Sequence, residues 1–366
     1  MELVIWLDMA VLLSLWRYVE STDAGAVGQF DWPKFFPECG GSSQSPVNVD
    51  SSHTWYDPSL PLIQIMGYDQ YGHEPFTLFN NGHTVVMPLP SWMGIGGLPW
   101  QFSAVQLHLH WGNGVAVSIG SEHTIDEQSS SAELHIVHYN SELYYNMSEA
   151  KTHENGLAVL AVLVEAGEDT NQAYANIINY LGRIRHAGQS VFIPAFDVRT
   201  LIPADLSRYF RYSGSLTTPP CYQSVLWTVF SEKVFISHSQ LLKLETLLYS
   251  RSGSADPAPL QNNYRTTQPL NNRTVLSSFI PDSEKIYTAG EISAIVIGCL
   301  CGCIGMAAIV CFIVKTTRAT SSWDVLPSVQ PPPQSRTKDV PKDLALKMTP
   351  DPGKPEESIP QSEPLT

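Results

Sequence analysis

The sequence predicts a predominantly β domain of the α+β class with a few peripheral helices, followed by one C-terminal transmembrane helix. Three observations carry this reading. Apolar runs of strand length recur from about Phe30 to Phe279, punctuated by Gly and Pro. Helical periodicity is confined to two stretches, Asn171–Arg185 and Ser237–Tyr249. Residues 292–314 then form a run without charge, long enough to cross a bilayer with some tilt.

In chain order, Met1 to about Trp16 is apolar and resembles a secretory signal, although Asp8 interrupts it and no basic segment precedes it. Ala24-Gly25-Ala26 offers small residues for cleavage, so residues 1–26 are assigned to the signal. Residues 30–280 read as one globular unit without internal repeats. Its strand-like runs include Thr84–Met87, Ala104–Trp111, Glu133–Tyr139, Leu157–Val164 and Ser224–Phe230. Ser237 and Gln240 are spaced as a capping box at the start of the second helix. Residues 281–291 form a short stalk. The tail, 315–366, is polar, contains Pro331-Pro332-Pro333 and is expected to be disordered and cytoplasmic.

The chain has 366 residues, 43% of them hydrophobic, enough for one large domain with appendages. Its net charge of -14 and pI near 5.1 exclude a basic field for phosphates, so no nucleic-acid partner is expected. Glu284 and Glu291 precede the apolar run while Lys315 and Arg318 follow it, which places the tail in the cytoplasm and the domain outside. The expectation is a single-pass type I plasma-membrane protein. Cys39 and Cys221 are the only cysteines before the span, so they pair with each other if oxidised, stabilising the fold by roughly 2–5 kcal/mol. Cys299, Cys301, Cys303 and Cys311 lie in the span and read as small apolar residues. Asn146-Met147-Ser148 and Asn272-Arg273-Thr274 are candidate glycosylation sequons. Gly298 and Gly302 form a small-xxx-small pattern, which suggests a homodimer through the span.

The most informative segments are Gln106-Leu107-His108-Leu109-His110-Trp111-Gly112 and Ala132-Glu133-Leu134-His135-Ile136-Val137-His138. Alternation along a strand puts His108 and His110 on one face, and Glu133 and His135 on one face of another strand. His138 has the other parity. Two imidazoles from one strand and a third from a later one make an open three-histidine Zn²⁺ site with a coordination position left for water. Strand parity favours His135 over His138 as the third ligand. A lone buried histidine is usually a hydrogen-bonded core residue, and His123 and His138 fit that description.

These segments, with Gly120-Ser121-Glu122-His123-Thr124, Ser215-Leu216-Thr217-Thr218-Pro219-Pro220, Gln44-Ser45-Pro46, Asn80-Asn81-Gly82-His83 and Asn263-Tyr264-Arg265, resemble the α-carbonic anhydrases from about Asp31 to Phe279. With the single span, the chain is similar to the membrane-bound members of that family. The resemblance implies a central twisted mixed β-sheet, a zinc cofactor at the bottom of a cleft, and reversible hydration of CO₂ to bicarbonate and a proton. It implies His108, His110 and His135 as zinc ligands, oriented in turn by Gln106, the Asn263 carbonyl and Glu133. Thr217 would accept a hydrogen bond from the attacking hydroxide and pass one to Glu122, which as a carboxylate only accepts. Thr218 would contact bicarbonate. Val137, Val159, Leu216, Val225 and Trp227 match the apolar wall that receives CO₂; each taken alone reads as ordinary core. His83 matches the proton shuttle, a task suited to imidazole.

Two features depart from the family pattern. Val86 stands where active members often carry Asn or Gln, which would loosen a water chain between zinc and His83. Trp16-Arg17-Tyr18 resembles a family Trp-x-Tyr segment, but the intervening Val19–Phe30 stretch is too long, so Tyr18 either joins the water network or leaves with the signal. Two other readings compete: a catalytically silent adhesion or ligand-binding ectodomain on the same fold, and a zinc hydrolase acting on esters. Loss of a zinc histidine would mark the first, yet all three are present.

Overall fold

A computed structural model describes residues 28–70, 74–114, 119–251, 258–281 and 289–320. The expected signal peptide with Tyr18, most of the stalk, and the tail beyond residue 320 lie outside the described residues. The chain divides into two units, Met1–Ile286 and Tyr287–Thr366.

The first unit is built on a mixed sheet. Its principal strands are β1 (Phe76–Asn80), β2 (Val85–Pro88), β3 (Phe102–Trp111), β4 (Ala132–Asn140), β5 (Leu157–Gly167), β6 (Ser190–Ile193), β7 (Tyr209–Gly214), β8 (Val225–Phe230) and β9 (Leu276–Ser277). They lie in the order β6-β1-β2-β3-β4-β5-β8-β7-β9, with the short strand Trp55–Tyr56 beyond β9. β3, β4 and β5 pair antiparallel, whereas β5 and β8 pair parallel. Helices are few and short: α1 (Trp32–Phe35), α2 (Met147–Ala150), α3 (Gln172–Ile178) and α4 (His238–Thr246).

The composition of each strand follows from what covers it. β5 sits at the centre, and Leu157 through Val164 are all buried, so both faces are apolar and no alternation survives. β3 alternates instead. Leu107, Leu109 and Trp111 enter a large cluster with Leu134, Ile136 and Leu160, which Tyr174, Ile177, Leu241 and Leu244 of α3 and α4 join. Val137, Val159, Phe210, Val225 and Trp227 form a second cluster. Burial of one such aliphatic side chain stabilises the fold by roughly 1.5–3 kcal/mol.

Local signals set the helix ends. The Asn171 side chain accepts from the backbone N–H groups of Ala173 and Tyr174 and starts α3. The periodic stretch expected to run to Arg185 stops at Ile178 and tightens into a 3₁₀ turn, Leu181–Arg183, around Gly182, a poor helix former. Ser237 and Gln240 make the expected capping box of α4. The strand expected from Thr84 begins one residue later because the Thr84 hydroxyl bonds the Leu109 carbonyl. Cys39 and Cys221 form a disulfide across 182 residues of sequence.

The second unit contributes α5 (Ala289–Thr320), one continuous helix. Its stretch Val296–Arg318 is long and apolar enough to cross a membrane. The run 292–314 thus lies inside a longer helix, which carries Lys315 and Arg318 in its last turns.

Candidate metal centre

The β3–β4 register places His108 opposite His135 and His110 opposite Glu133. Opposed residues in an antiparallel pair share a face, so the three histidines and Glu133 converge. Ring centroids lie 5.0 Å apart for His108 and His110, 5.2 Å for His108 and His135, and 4.6 Å for His110 and His135. One nitrogen from each ring lies within 4.8 Å of the others.

The outward nitrogens are tied down. His110 Nδ1 donates to the Asn263 carbonyl at 2.7 Å, and His135 Nε2 donates to Glu133 Oε1 at 2.6 Å. Those bonds fix both tautomers and turn His110 Nε2 and His135 Nδ1 inward, 3.1 Å apart. Zinc–nitrogen bonds of about 2.0–2.1 Å in a tetrahedron require a ligand separation of about 3.3 Å, so this pair fits a zinc ion. Burial, reinforced by the neighbouring rings, holds His108 well below its usual value; burial also lowers His110, despite the Glu122 charge. Both rings therefore favour the neutral form that a metal ligand needs. Burial also opposes charging of His135, but the Glu133 carboxylate outweighs it and raises that ring. Burial likewise disfavours the charged Glu133 carboxylate, yet His123 and His135 keep it well below the carboxylate range.

Glu133 does more than hold His135. Its Oε2 accepts from the backbone N–H groups of Glu122 and His123, and its Oε1 also meets His123 Nδ1 at 2.6 Å. His123 Nε2 bonds Tyr212 Oη, which donates to Ser45 Oγ. His123 is thus a hydrogen-bonded core residue, as expected, and a link in a buried polar chain. The group His123, Glu133 and His135 also has metal-ligand spacing, but its inward atoms are consumed by these hydrogen bonds. His138, at Ala104 in the register, bonds Tyr68 Oη at 2.6 Å and the Ala158 carbonyl at 3.2 Å. It is a satisfied core residue on the opposite face.

The histidines open into a cavity of about 530 Å³. His83, Val86, Gln106, Glu122, Val137, Val159, Leu216, Thr217, Thr218 and Trp227 line it. Val225 is not on the cavity wall, and two expected hydrogen bonds are not made in this structure. Val225 is buried in the second cluster with Val137 and Val159 and does not line the cavity. Gln106 shares the face but makes no bond to His108, whose Nδ1 is buried without a hydrogen-bond partner. The Thr217–Glu122 hydrogen bond is also not made. The Arg265 N–H takes Glu122 Oε1, and the carboxylate turns toward the rings, with Oε2 3.8 Å from His135 Nδ1 and unpartnered. Burial lowers His83 to about 4.

Sequence reasoning missed Arg265 as a positioning residue. Its guanidinium bonds Gln44 Oε1, Ser45 O and Cys39 O, which locks the backbone that delivers both the Arg265 N–H to Glu122 and the Asn263 carbonyl to His110. The motif Asn263-Tyr264-Arg265 carried the signal without revealing the contact. Gln29 and Trp32 near the N-terminus, and Met147 and Lys151 at α2, also line the cavity unannounced.

The sheet and its strand-borne histidine triad define an enzyme-like domain with a group of three histidines that could hold a metal ion, opening into a cavity. The chain belongs to the eukaryotic-type carbonic anhydrases, which it matches over residues 27–279. It is a carbonic anhydrase, a lyase. It is 45% identical to carbonic anhydrase 12 of Homo sapiens over 282 residues, 76% of this chain and 77% of that one. Similarity extends to carbonic anhydrase 6 of Bos taurus, 40% identical over 279 residues, 75% of this chain and 84% of that one. Carbonic anhydrase 15 of Mus musculus is 36% identical over 261 residues, 69% of this chain and 80% of that one.

His138 supplies a pH prediction. Burial brings its ring from 6.5 to about 4, so the folded state prefers the neutral form. The associated stability is complete above pH 6.5 and is lost as pH falls toward 4, by about 3 kcal/mol in all. Chemical denaturation from pH 7 to 4 should show a shallower decline for His138→Gln than for the unaltered protein; equal slopes contradict this.

Proposed function

We propose that this carbonic anhydrase hydrates carbon dioxide reversibly to bicarbonate and a proton outside the cell, with zinc held by His108, His110 and His135. The observation that carries the reading is the convergence of three imidazole nitrogens within 4.8 Å of one another at the base of a cavity with an apolar wall. When bound, zinc acidifies its water so that hydroxide is available near neutral pH, as in carbonic anhydrases generally.

The chain's residues supply the rest. Val137, Val159, Leu216 and Trp227 present a dry surface that suits apolar CO₂. Thr217 aims the nucleophile: its hydroxyl accepts one hydrogen bond and donates to Glu122 Oε2, an atom with acceptor capacity unspent. Glu122 is suited to this because the Arg265 N–H fixes its other oxygen. Thr218 contacts bicarbonate. Gln106 orients His108 by turning toward its bare Nδ1. His83 relays the proton to solvent, with a basicity reduced by burial.

The membrane arrangement follows the same reading. Residues 1–26 are the signal, 30–280 the catalytic domain, 281–291 the stalk, 292–314 the span and 315–366 the cytoplasmic tail. The Cys39–Cys221 disulfide supports an oxidising compartment, and Lys315 and Arg318 support a type I orientation. Asn272 is exposed and suits a glycan; Asn146 is half-buried, but its amide nitrogen is not used when its oxygen caps α2. A homodimer through Gly298 and Gly302 would use a stripe of α5 whose small residues let helix backbones approach closely.

Four measurements test this reading. The full chain should hold one zinc, and chelation should abolish CO₂ hydration. His135→Ala should reduce hydration by at least about a hundredfold, while His138→Gln retains it; a zinc-loaded chain that hydrates no CO₂ contradicts the reading. His83→Ala should slow turnover in weak buffer by a factor on the order of ten, with recovery in imidazole, and Val86→Gln should speed it. Unchanged buffer-limited rates would remove both residues from the proton path. Cross-linking of the full chain in membranes should give dimers that Gly298→Leu weakens; monomer alone overturns that part.

A further inference from the structure

The loop between β1 and β2 carries His83, and one side chain from far along the sequence ties that loop to β3. Asn263 Nδ2 donates to the His83 carbonyl at 2.9 Å and to the Leu109 carbonyl at 3.2 Å. Its Oδ1 accepts from the Trp111 N–H at 2.8 Å. Two acceptors and one donor around the amide fix its orientation, because a flipped amide would set oxygen against two carbonyls and hydrogen against an N–H. Leu109 and Trp111 flank His110 in β3, so the amide grips the strand on both sides of that histidine. The Thr84 hydroxyl bonds the same Leu109 carbonyl and joins the loop to the strand at one point. Within the loop, Asn81 Oδ1 accepts from the N–H groups of His83 and Thr84, and Asn80 Oδ1 accepts from the Gly82 N–H.

The Asn263 backbone carbonyl holds His110, and its side chain is a separate device. A proton that leaves the cavity by way of His83 crosses a gap set by where that residue stands relative to β3. The amide spans the two through backbone atoms, so no rotamer change at His83 releases the tie. We infer that the Asn263 side chain is a positioning residue for proton transfer, holding the His83 backbone in place against the strand that bears His108 and His110. The inference rests on the reading of His83 as the proton relay and extends it. Loss of the amide keeps the His110 hydrogen bond, which uses the backbone carbonyl, but unties the His83 carbonyl from β3. His83 then spends a smaller fraction of its time in the relay position, and proton transfer slows by that fraction.

The test uses the full zinc-loaded chain in detergent. Proton release follows the CO₂ step, so it enters kcat in weak buffer and not kcat/KM for CO₂. Asn263→Ala should lower kcat in weak buffer by about threefold to tenfold, lower kcat/KM by a smaller factor, and regain kcat in imidazole. Combined with His83→Ala, it should cost no more than His83→Ala alone, because both act on one path. Asn263→Leu, which keeps the branched shape and none of the three bonds, should behave likewise. Hydrogen exchange supplies a readout independent of catalysis: the amides of residues 82–84 should exchange several-fold faster in both variants, with those of 157–164 unchanged. Equal losses in kcat and kcat/KM, or losses that multiply in the double variant, overturn the inference. So does unchanged exchange at 82–84, or an equal acceleration at 157–164, which would mean that the substitution loosens the whole domain. Unaltered turnover of His83→Ala in weak buffer would instead remove the relay reading, while the exchange comparison still decides whether Asn263 holds the His83 segment.

Discussion

The antiparallel register of β3 against β4 is the constraint on which the site depends. It sets His108 across from His135 and His110 across from Glu133, so one strand pair supplies the converging ring nitrogens and an orienting carboxylate together. A slip of one residue would turn every one of these side chains to the other face. The register is secured by apolar neighbours of opposite parity: Leu107, Leu109, Leu134 and Ile136 fill the large cluster on the far side. The same alternation that buries the leucines therefore aims the histidines. Core packing and site geometry are one pattern read from its two faces.

A cluster of polar groups this deeply buried needs nearly every atom satisfied. Glu133 answers that need most fully, taking hydrogen bonds from two backbone N–H groups, His123 and His135. Arg265 does comparable work from the far end of the chain, binding the Cys39 carbonyl close to the disulfide and the Gln44-Ser45 segment. Of the buried side-chain atoms left without partners among the described residues, two, His108 Nδ1 and Glu122 Oε2, belong to this cluster.

Much of this was legible in the sequence, because strands alternate with period two and the histidines fall on that period. The pairing of Ser237 with Gln240 was legible for the same kind of reason, a local rule with a fixed spacing. Long-range satisfaction of polar groups was not. Nothing local shows that the Arg265 guanidinium reaches Cys39, that His123 bridges Glu133 to Tyr212, or that Val225 does not line the cavity. The stop of α3 at Ile178 depended on weak propensities at Asn179 and Gly182, which a periodic apolar pattern conceals. Lys151 was invisible because α2 is too short to show a period.

The central claim is that the β3–β4 register builds one tetrahedral zinc site from His108, His110 and His135. Diffraction from crystals of the zinc-loaded protein at the zinc absorption edge tests it most directly. The account predicts one anomalous peak about 2.0–2.1 Å from a nitrogen of each of these three rings. A peak between His123, Glu133 and His135, or one that leaves out any of the three histidines, would contradict it.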